Sequence, residues 1–297
     1  MKLEGVYVPN VTPFDGAGEI DWGALEGLIE FWLDAGVSGL VVNASTGEGP
    51  LLSREEKRAT MEFVRGRVGG RWAVIAGTGA IGTRETIELT GDAKDLGADA
   101  ALVTTPFFFK PAPSELVEHF VALDEAVDLP VILYNVPKFT GYTVAPDTVD
   151  EVSRRCGNLV GIKDSSGSPG AMAENIRLFG DRISVLSGAA DMTLPTLALG
   201  GRGAILAVAN FIPGICTGLY RAAAEGDLRE AGRLQMAVSY VNKVLVREYP
   251  QVAAVKVALA LKGHPAGVPR SPLKPLSDKG VEAVRGALLE MGLLEGA

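Results

Sequence analysis

The chain has 297 residues, 47% of them hydrophobic and 22% charged, which is enough apolar material for a sizeable core and far from a disordered composition. A formal net charge of -8, with lysines and arginines scattered along the chain, excludes the basic footprint of a nucleic-acid binder. No apolar run reaches the ~18 residues of a membrane span, and the opening MKLEGVYVPNV lacks the long apolar stretch of a secretory signal, so the expected compartment is the cytoplasm.

Short apolar or β-branched runs recur along the chain, and each is followed by a stretch of helical period. Strands are predicted at 6–11, 39–43, 72–76, 100–103, 131–135, 159–163, 183–187 and 203–207. Helices are predicted near 22–35, 53–68, 83–96, 114–127, 146–155, 170–179, 190–199 and 213–225. Eight strand-helix units without a break fit one closed α/β barrel, a (β/α)8 TIM barrel, better than an open sheet split into two domains. Beyond residue 226 only helices are expected, near 227–247, 250–262 and 279–294, with the linker GHPAGVPRSPLKPL between the last two. The predicted organisation is a barrel over 1–225 that carries the active site, with a C-terminal helical extension over 226–297.

Metal and thiol chemistry find little support. Cys156 and Cys216 show no metal-like spacing and read as buried small hydrophobes. His119 lies in an amphipathic helix and His264 in a Pro/Gly-rich linker, so both read as structural. No metal and no cofactor are expected.

In a barrel of this kind, chemistry gathers at the C-terminal ends of the strands. NASTGEG follows the second strand, TTPFFFKP the fourth and YNVPKFTG the fifth, while KDSSG closes the sixth. Lys163, at the end of the apolar run LVGIK, has two readings. It is either a strand-end lysine reaching water or a desolvated amine that attacks a carbonyl. GTGAIG (77–82) also offers a rival function, because a G-x-G-x-x-G between strand and helix marks a dinucleotide-binding turn and would make the protein an NAD-dependent oxidoreductase. Against it, Asp99 precedes the next strand instead of ending it, which is the wrong end for holding a ribose.

Taken in order, VTPFDGAGEID, STGE, AGTGA, TPFFF, LYNVP, GIKDSSG, LSGAAD and LKPLSDKG give the chain an almost end-to-end resemblance to the dihydrodipicolinate synthase / N-acetylneuraminate lyase superfamily of class I, Schiff-base pyruvate aldolases. The resemblance implies that Lys163 forms an imine with pyruvate or another 2-oxo acid. It makes Tyr134 the proton shuttle, and Ser45 and Thr46 the grip on the pyruvate carboxylate. Gly47 would let that loop approach the ligand, Gly188 would turn a backbone carbonyl toward the substrate, and Ile205 would lie near the lysine. Glu48 reads as a structural acid. Strand alternation turns Asp164 away from the barrel interior.

Two positions depart from the synthase pattern. Phe108 stands where synthases place a tyrosine contributed across a subunit interface, and a phenyl ring passes no proton. Phe139, beside Lys138, stands where they place an arginine for the carboxylate of the aldehyde, so a bidentate grip is lost there. Both residues count as substrate-binding positions. The expected activity is therefore reversible joining of pyruvate to an aldehyde, with a 2-keto-3-deoxy sugar acid or a 4-hydroxy-2-oxoglutarate type of substrate preferred. The alternative is 4-hydroxy-tetrahydrodipicolinate synthase, which acts on pyruvate and aspartate semialdehyde. Expected partners are these small molecules, with no nucleic acid and no membrane, and a homo-oligomer, a tetramer by the resemblance.

Overall fold

The structure, a computed structural model, describes residues 1–294. Eight parallel strands close on themselves in chain order: β1 (Gly5–Val8), β2 (Gly39–Val42), β3 (Ala73–Gly77), β4 (Ala100–Thr104), β5 (Val131–Asn135), β6 (Leu159–Asp164), β7 (Ser184–Ser187) and β8 (Gly203–Ile205). β1 pairs with both β2 and β8, so no strand edge is left open. This is the (β/α)8 barrel expected from the alternation.

The connecting helices are α1 (Trp22–Asp34), α2 (Arg54–Val68), α3 (Thr83–Asp95), α4 (Pro113–Ala126), a single turn α5 (Pro137–Thr140), α6 (Pro146–Arg155), α7 (Pro169–Phe179), α8 (Thr193–Ala198) and α9 (Pro213–Ala224). Their starts follow from local chemistry. Proline opens α4, α6, α7 and α9, where its missing N–H is not needed and its φ is already helical. α2 instead begins with a capping box, in which the Ser53 hydroxyl accepts from Glu56 N at 3.2 Å and the Glu56 carboxylate accepts from Ser53 N at 2.8 Å.

Strand alternation builds two cores. Val41, Ile75, Leu102, Ile132, Leu186 and Ile205 fill the barrel interior, whereas Leu40, Val42, Val74, Leu133, Ile162 and Val185 pack outward against the helices. With Ile162 facing out, period two turns Lys163 inward and Asp164 out again. Asp164 indeed bonds Asn175 of α7, accepting from its Nδ2 at 3.0 Å.

After the barrel come α10 (Leu228–Asn242), a π-helical turn (Lys243–Glu248), α11 (Gln251–Leu261) and α12 (Asp278–Glu290). Four predicted elements are corrected. The first strand ends at Val8 instead of Val11, because Pro9 cannot donate to a ladder. The last strand stops at Ile205, and Ala207–Asn210 is a short 3-10 turn. The helix expected at 190–199 divides into a 3-10 turn, Ala190–Met192, and α8. The one expected at 227–247 gives way after Asn242 to the π turn, which ends before Pro250. Residues 295–297 of the expected C-terminal region lie outside the described residues, and no described helix is long and apolar enough to cross a membrane.

Candidate active site

A cavity of about 390 Å³ opens at the C-terminal end of the strands. Its inner wall holds Lys163 and Tyr134, partners in the β5–β6 register and both nearly inaccessible to solvent, at 3% and 4%. The lysine Nζ stands 4.1 Å from the centre of the Tyr134 ring. An amine held over a phenol face inside a hydrophobic barrel is constrained in position and close to a proton donor.

The phenol is tuned by opposing influences. Burial pushes it up, while the Lys163 ammonium and hydrogen bonds with Ser165, Ser45 and Lys163 pull it down and prevail, so Tyr134 sits below its ordinary value near 10.0. Burial leaves Tyr7, Tyr142 and Tyr220 above theirs. Tyr134 should therefore ionise ahead of those three. Below its pKa the phenol can donate and above it cannot, so any alkaline limb of a pH–rate profile that rested on this phenol would lie below pH 10. In ultraviolet difference titrations against Tyr134→Phe, the missing tyrosinate signal should appear on the acid side of pH 10 and shift upward in Lys163→Met, where burial acts without the ammonium. A Tyr134 signal that titrates above pH 10 in the unsubstituted protein would remove this assignment.

Gly188 and Ile205 line the same cavity. A Cβ at Gly188 would come 3.0 Å from Lys163 Cε and 2.0 Å from Ser165 Oγ, so the glycine is what lets the lysine lie along the wall. Ser45, Thr46 and Gly47 form a 3-10 turn after β2 whose leading N–H groups have no partner within the turn. Thr46 reaches the cavity. Gly47 does not line it, and its small size has another cause: a Cβ there would strike the Asn10 carbonyl at 2.6 Å.

Glu48, next in the loop, has a left-handed backbone with φ 59° and is buried. Its carboxylate meets Lys256 Nζ of α11 at 2.7 Å and accepts from Arg270 N at 2.7 Å. Both partners also stack on Phe14, with the Lys256 Nζ 4.4 Å and the Arg270 guanidinium 4.3 Å from the ring centre. Burial lowers the Lys256 pKa and Glu48 opposes that shift. Glu48 is thus committed to structure.

The two aromatic positions part company. Phe139 lines the cavity. Phe108 does not; it is 83% exposed beside Phe109, at 72%, and its φ of 78° is a conformation that a bulky residue rarely adopts.

The sequence reading missed the outer wall. Asn242, Val246, Arg247 and Gln251 reach the cavity from α10, the π turn and α11. Gln251 Nε2 donates to Thr46 Oγ1 at 3.1 Å, tying the C-terminal region to the loop after β2. Ser165 and Ser166 also join the lining, from the KDSSG segment already singled out.

The GTGAIG fingerprint has a packing explanation. A Cβ at Gly77 would lie 2.5 Å from Asn43 O and one at Gly79 2.3 Å from Thr104 N, so these glycines let neighbouring strand ends touch. Asp99 sits at the other end of the barrel, accepting from Val74 N at 2.8 Å and Arg65 Nη1 at 3.0 Å. His119 bonds Thr83 at 2.9 Å and is pushed down to about 4 by burial, while His264 stacks on Phe31.

A model of the Dihydrodipicolinate synthetase family matches residues 2–291. The chain belongs to that family. It is 38% identical over 291 residues to the 4-hydroxy-tetrahydrodipicolinate synthase of Aquifex aeolicus, with 98% of each chain covered. The dihydrodipicolinate synthase of Thermotoga maritima superposes with a TM-score of 0.95 at 34% identity, over 99% of this chain and 100% of that one. A prophage protein of the dihydrodipicolinic acid synthase family from E. coli, solved in complex with pyruvate, gives a TM-score of 0.94 at 32% identity, over 98% of this chain and 99% of that one. As a member of the dihydrodipicolinate synthetase family, the chain is a carbon-carbon lyase of the Schiff-base aldolase type.

Proposed function

We propose that the chain joins pyruvate to an aldehyde through an imine on Lys163, and that the aldehyde is aspartate semialdehyde, the reaction of a 4-hydroxy-tetrahydrodipicolinate synthase. The observation that carries the chemistry is the lysine Nζ held 4.1 Å from the Tyr134 ring at the head of a closed cavity wall. Nζ adds to the C2 carbonyl of pyruvate and water leaves, giving an imine whose positive nitrogen makes the methyl carbon acidic. Loss of a methyl proton gives an enamine and its carbon attacks the aldehyde, whose oxygen takes up a proton; the amino group of the aspartate semialdehyde part then adds to C2 and displaces Nζ, which closes the ring as a cyclic imine and frees the lysine. Tyr134 carries protons to and from the substrate oxygen. Ser45, Thr46 and the N–H groups of their turn hold the pyruvate carboxylate, with no cofactor called upon.

The choice of aldehyde reverses the preference drawn from the sequence. Relatives at 36–38% identity over nearly the whole chain bear the synthase name, and that outweighs two substituted positions. A second reading, cleavage of 2-keto-3-deoxy sugar acids or 4-hydroxy-2-oxoglutarate, is favoured by Phe108 and Phe139, which supply neither a proton nor a guanidinium. Steady-state rates with pyruvate and aspartate semialdehyde, set beside rates of cleavage of the two oxo acids, separate the readings. The synthase reading expects the first to exceed the others by at least about tenfold in kcat/KM, a difference of roughly 1.4 kcal/mol in transition-state binding. Faster cleavage of either oxo acid transfers the assignment to that substrate.

The proposal extends to a homo-oligomer in which a second copy covers Phe108 and Phe109, since an exposed aromatic pair on strained backbone gains from burial. Sedimentation should show an assembly that Phe108→Ser and Phe109→Ser together weaken; a monomer at assay concentrations would contradict it.

A further inference from the structure

The cavity wall contains three cations, Lys163, Lys138 and Arg247, and no carboxylate among its described lining residues. Lys163 belongs to pyruvate. The other two line the same cavity and come from distant parts of the chain. Lys138 follows β5 on the short helix α5, and its Nζ reaches the Val246 carbonyl at 3.4 Å, across the cavity rim to the π turn. Arg247 is the next residue of that turn. The turn thereby brings Arg247 into the same cavity lining as Lys138 and Phe139, the residue that stands where an arginine was expected after YNVP.

Arg247 is held without being used up. Its Nη2 pairs with Asp191, whose other oxygen accepts from Asn242 Nδ2 at 3.1 Å. A guanidinium has five N–H donors in a planar fork, so a carboxylate on one edge leaves donors for a second. Its side chain is 61% exposed, so the existing pair is weak enough to share.

We infer that Arg247, assisted by Lys138, receives a carboxylate on the aldehyde substrate, and that this residue of the π turn sets the enzyme's preference for acidic aldehydes. Planar, paired donors suit a carboxylate. A phosphate dianion would bring a second full charge against Asp191, which disfavours it. The inference rests on the imine reading given above, and it goes beyond that reading by naming which side chain selects the partner and what the partner must carry.

The test uses the full-length protein with pyruvate and two kinds of aldehyde: aspartate semialdehyde and glyoxylate, which carry a carboxylate, and glyceraldehyde, which is neutral. The readout is the ratio of kcat/KM for each acidic aldehyde to that for glyceraldehyde. In Arg247→Met this ratio should fall at least about tenfold, through KM for the acidic aldehyde more than through kcat, and Arg247→Lys should recover part of it. Lys138→Met should lower the same ratio by about threefold, as expected for one exposed point charge. A ratio unchanged in Arg247→Met and Lys138→Met overturns the inference, as does an equal loss for all three aldehydes. Borohydride reduction with pyruvate tells that failure from a deeper one. A Lys163 adduct in both the unsubstituted protein and Arg247→Met, with no change in the ratio, removes the role of Arg247 alone. Absence of the adduct from the unsubstituted protein removes the imine reading and this inference with it.

Discussion

Replacing Lys163 by methionine is expected to abolish covalent capture of pyruvate and to lower kcat by on the order of 10⁴-fold or more, as loss of a nucleophile does where no other group can take its place. With pyruvate and borohydride, the unsubstituted protein should gain one reduced adduct on the peptide containing Lys163, and Lys163→Met none. Methionine matches the length of the lysine stem and adds no charge to an interior lined by Leu186, Ile205 and Tyr134, so the barrel should remain folded with an unchanged circular dichroism spectrum. An adduct on another lysine, or turnover that survives the substitution, would place the chemistry elsewhere.

The largest loss of stability is expected from Lys256→Met. Lys256 and Glu48 side chains are both fully inaccessible and meet at 2.7 Å. Removing the ammonium leaves a carboxylate in the interior without its ion-pair partner, facing the Arg270 N–H. Breaking one member of a buried pair typically costs about 3–5 kcal/mol, which for a chain of this size lowers Tm by roughly 5–8 °C. The double variant Glu48→Leu, Lys256→Met should recover much of this, since an apolar pair of similar volume carries no stranded charge. Calorimetry on the three proteins decides the matter: a double variant no more stable than Lys256→Met would mean that the loss comes from packing around Phe14. Because Glu48 lies two residues after Thr46, the single variant should also raise KM for pyruvate.

What could be read from the sequence follows the range of the forces involved. Strands of a barrel are buried on both faces, so β2 to β7 stand out as apolar runs, and Lys163 and Tyr134 are conspicuous as polar groups near the ends of two of them. Helix starts at Pro113, Pro146, Pro169 and Pro213 are local events, set by a ring that fixes φ. The misplaced ends are also local, as at Pro9, but depend on which N–H a neighbouring strand requires. The outer wall of the cavity was illegible for a different reason. Asn242, Arg247 and Gln251 lie in stretches whose apolar period reads as helix throughout, and nothing in that period distinguishes an α turn from the π turn that presents Arg247. Glu48 could be recognised as structural from its loop, but its partner Lys256 could not, because only the packing of α11 against the barrel brings them together. At Gly47 the fold adds a reason for the missing side chain that no local pattern shows, since a Cβ there would lie 2.6 Å from the Asn10 carbonyl.

The Glu48–Lys256 contact also bears on the order in which the molecule matures. A chain emerging from the ribosome delivers Ser45, Thr46 and Glu48 early, and Lys256 only after all eight strands have been made. Until α11 docks, the carboxylate of Glu48 lacks its ion-pair partner and is better left in water. If the Ser45–Gly47 turn holds pyruvate as proposed, a nascent chain should acquire affinity for pyruvate only after α11 has docked.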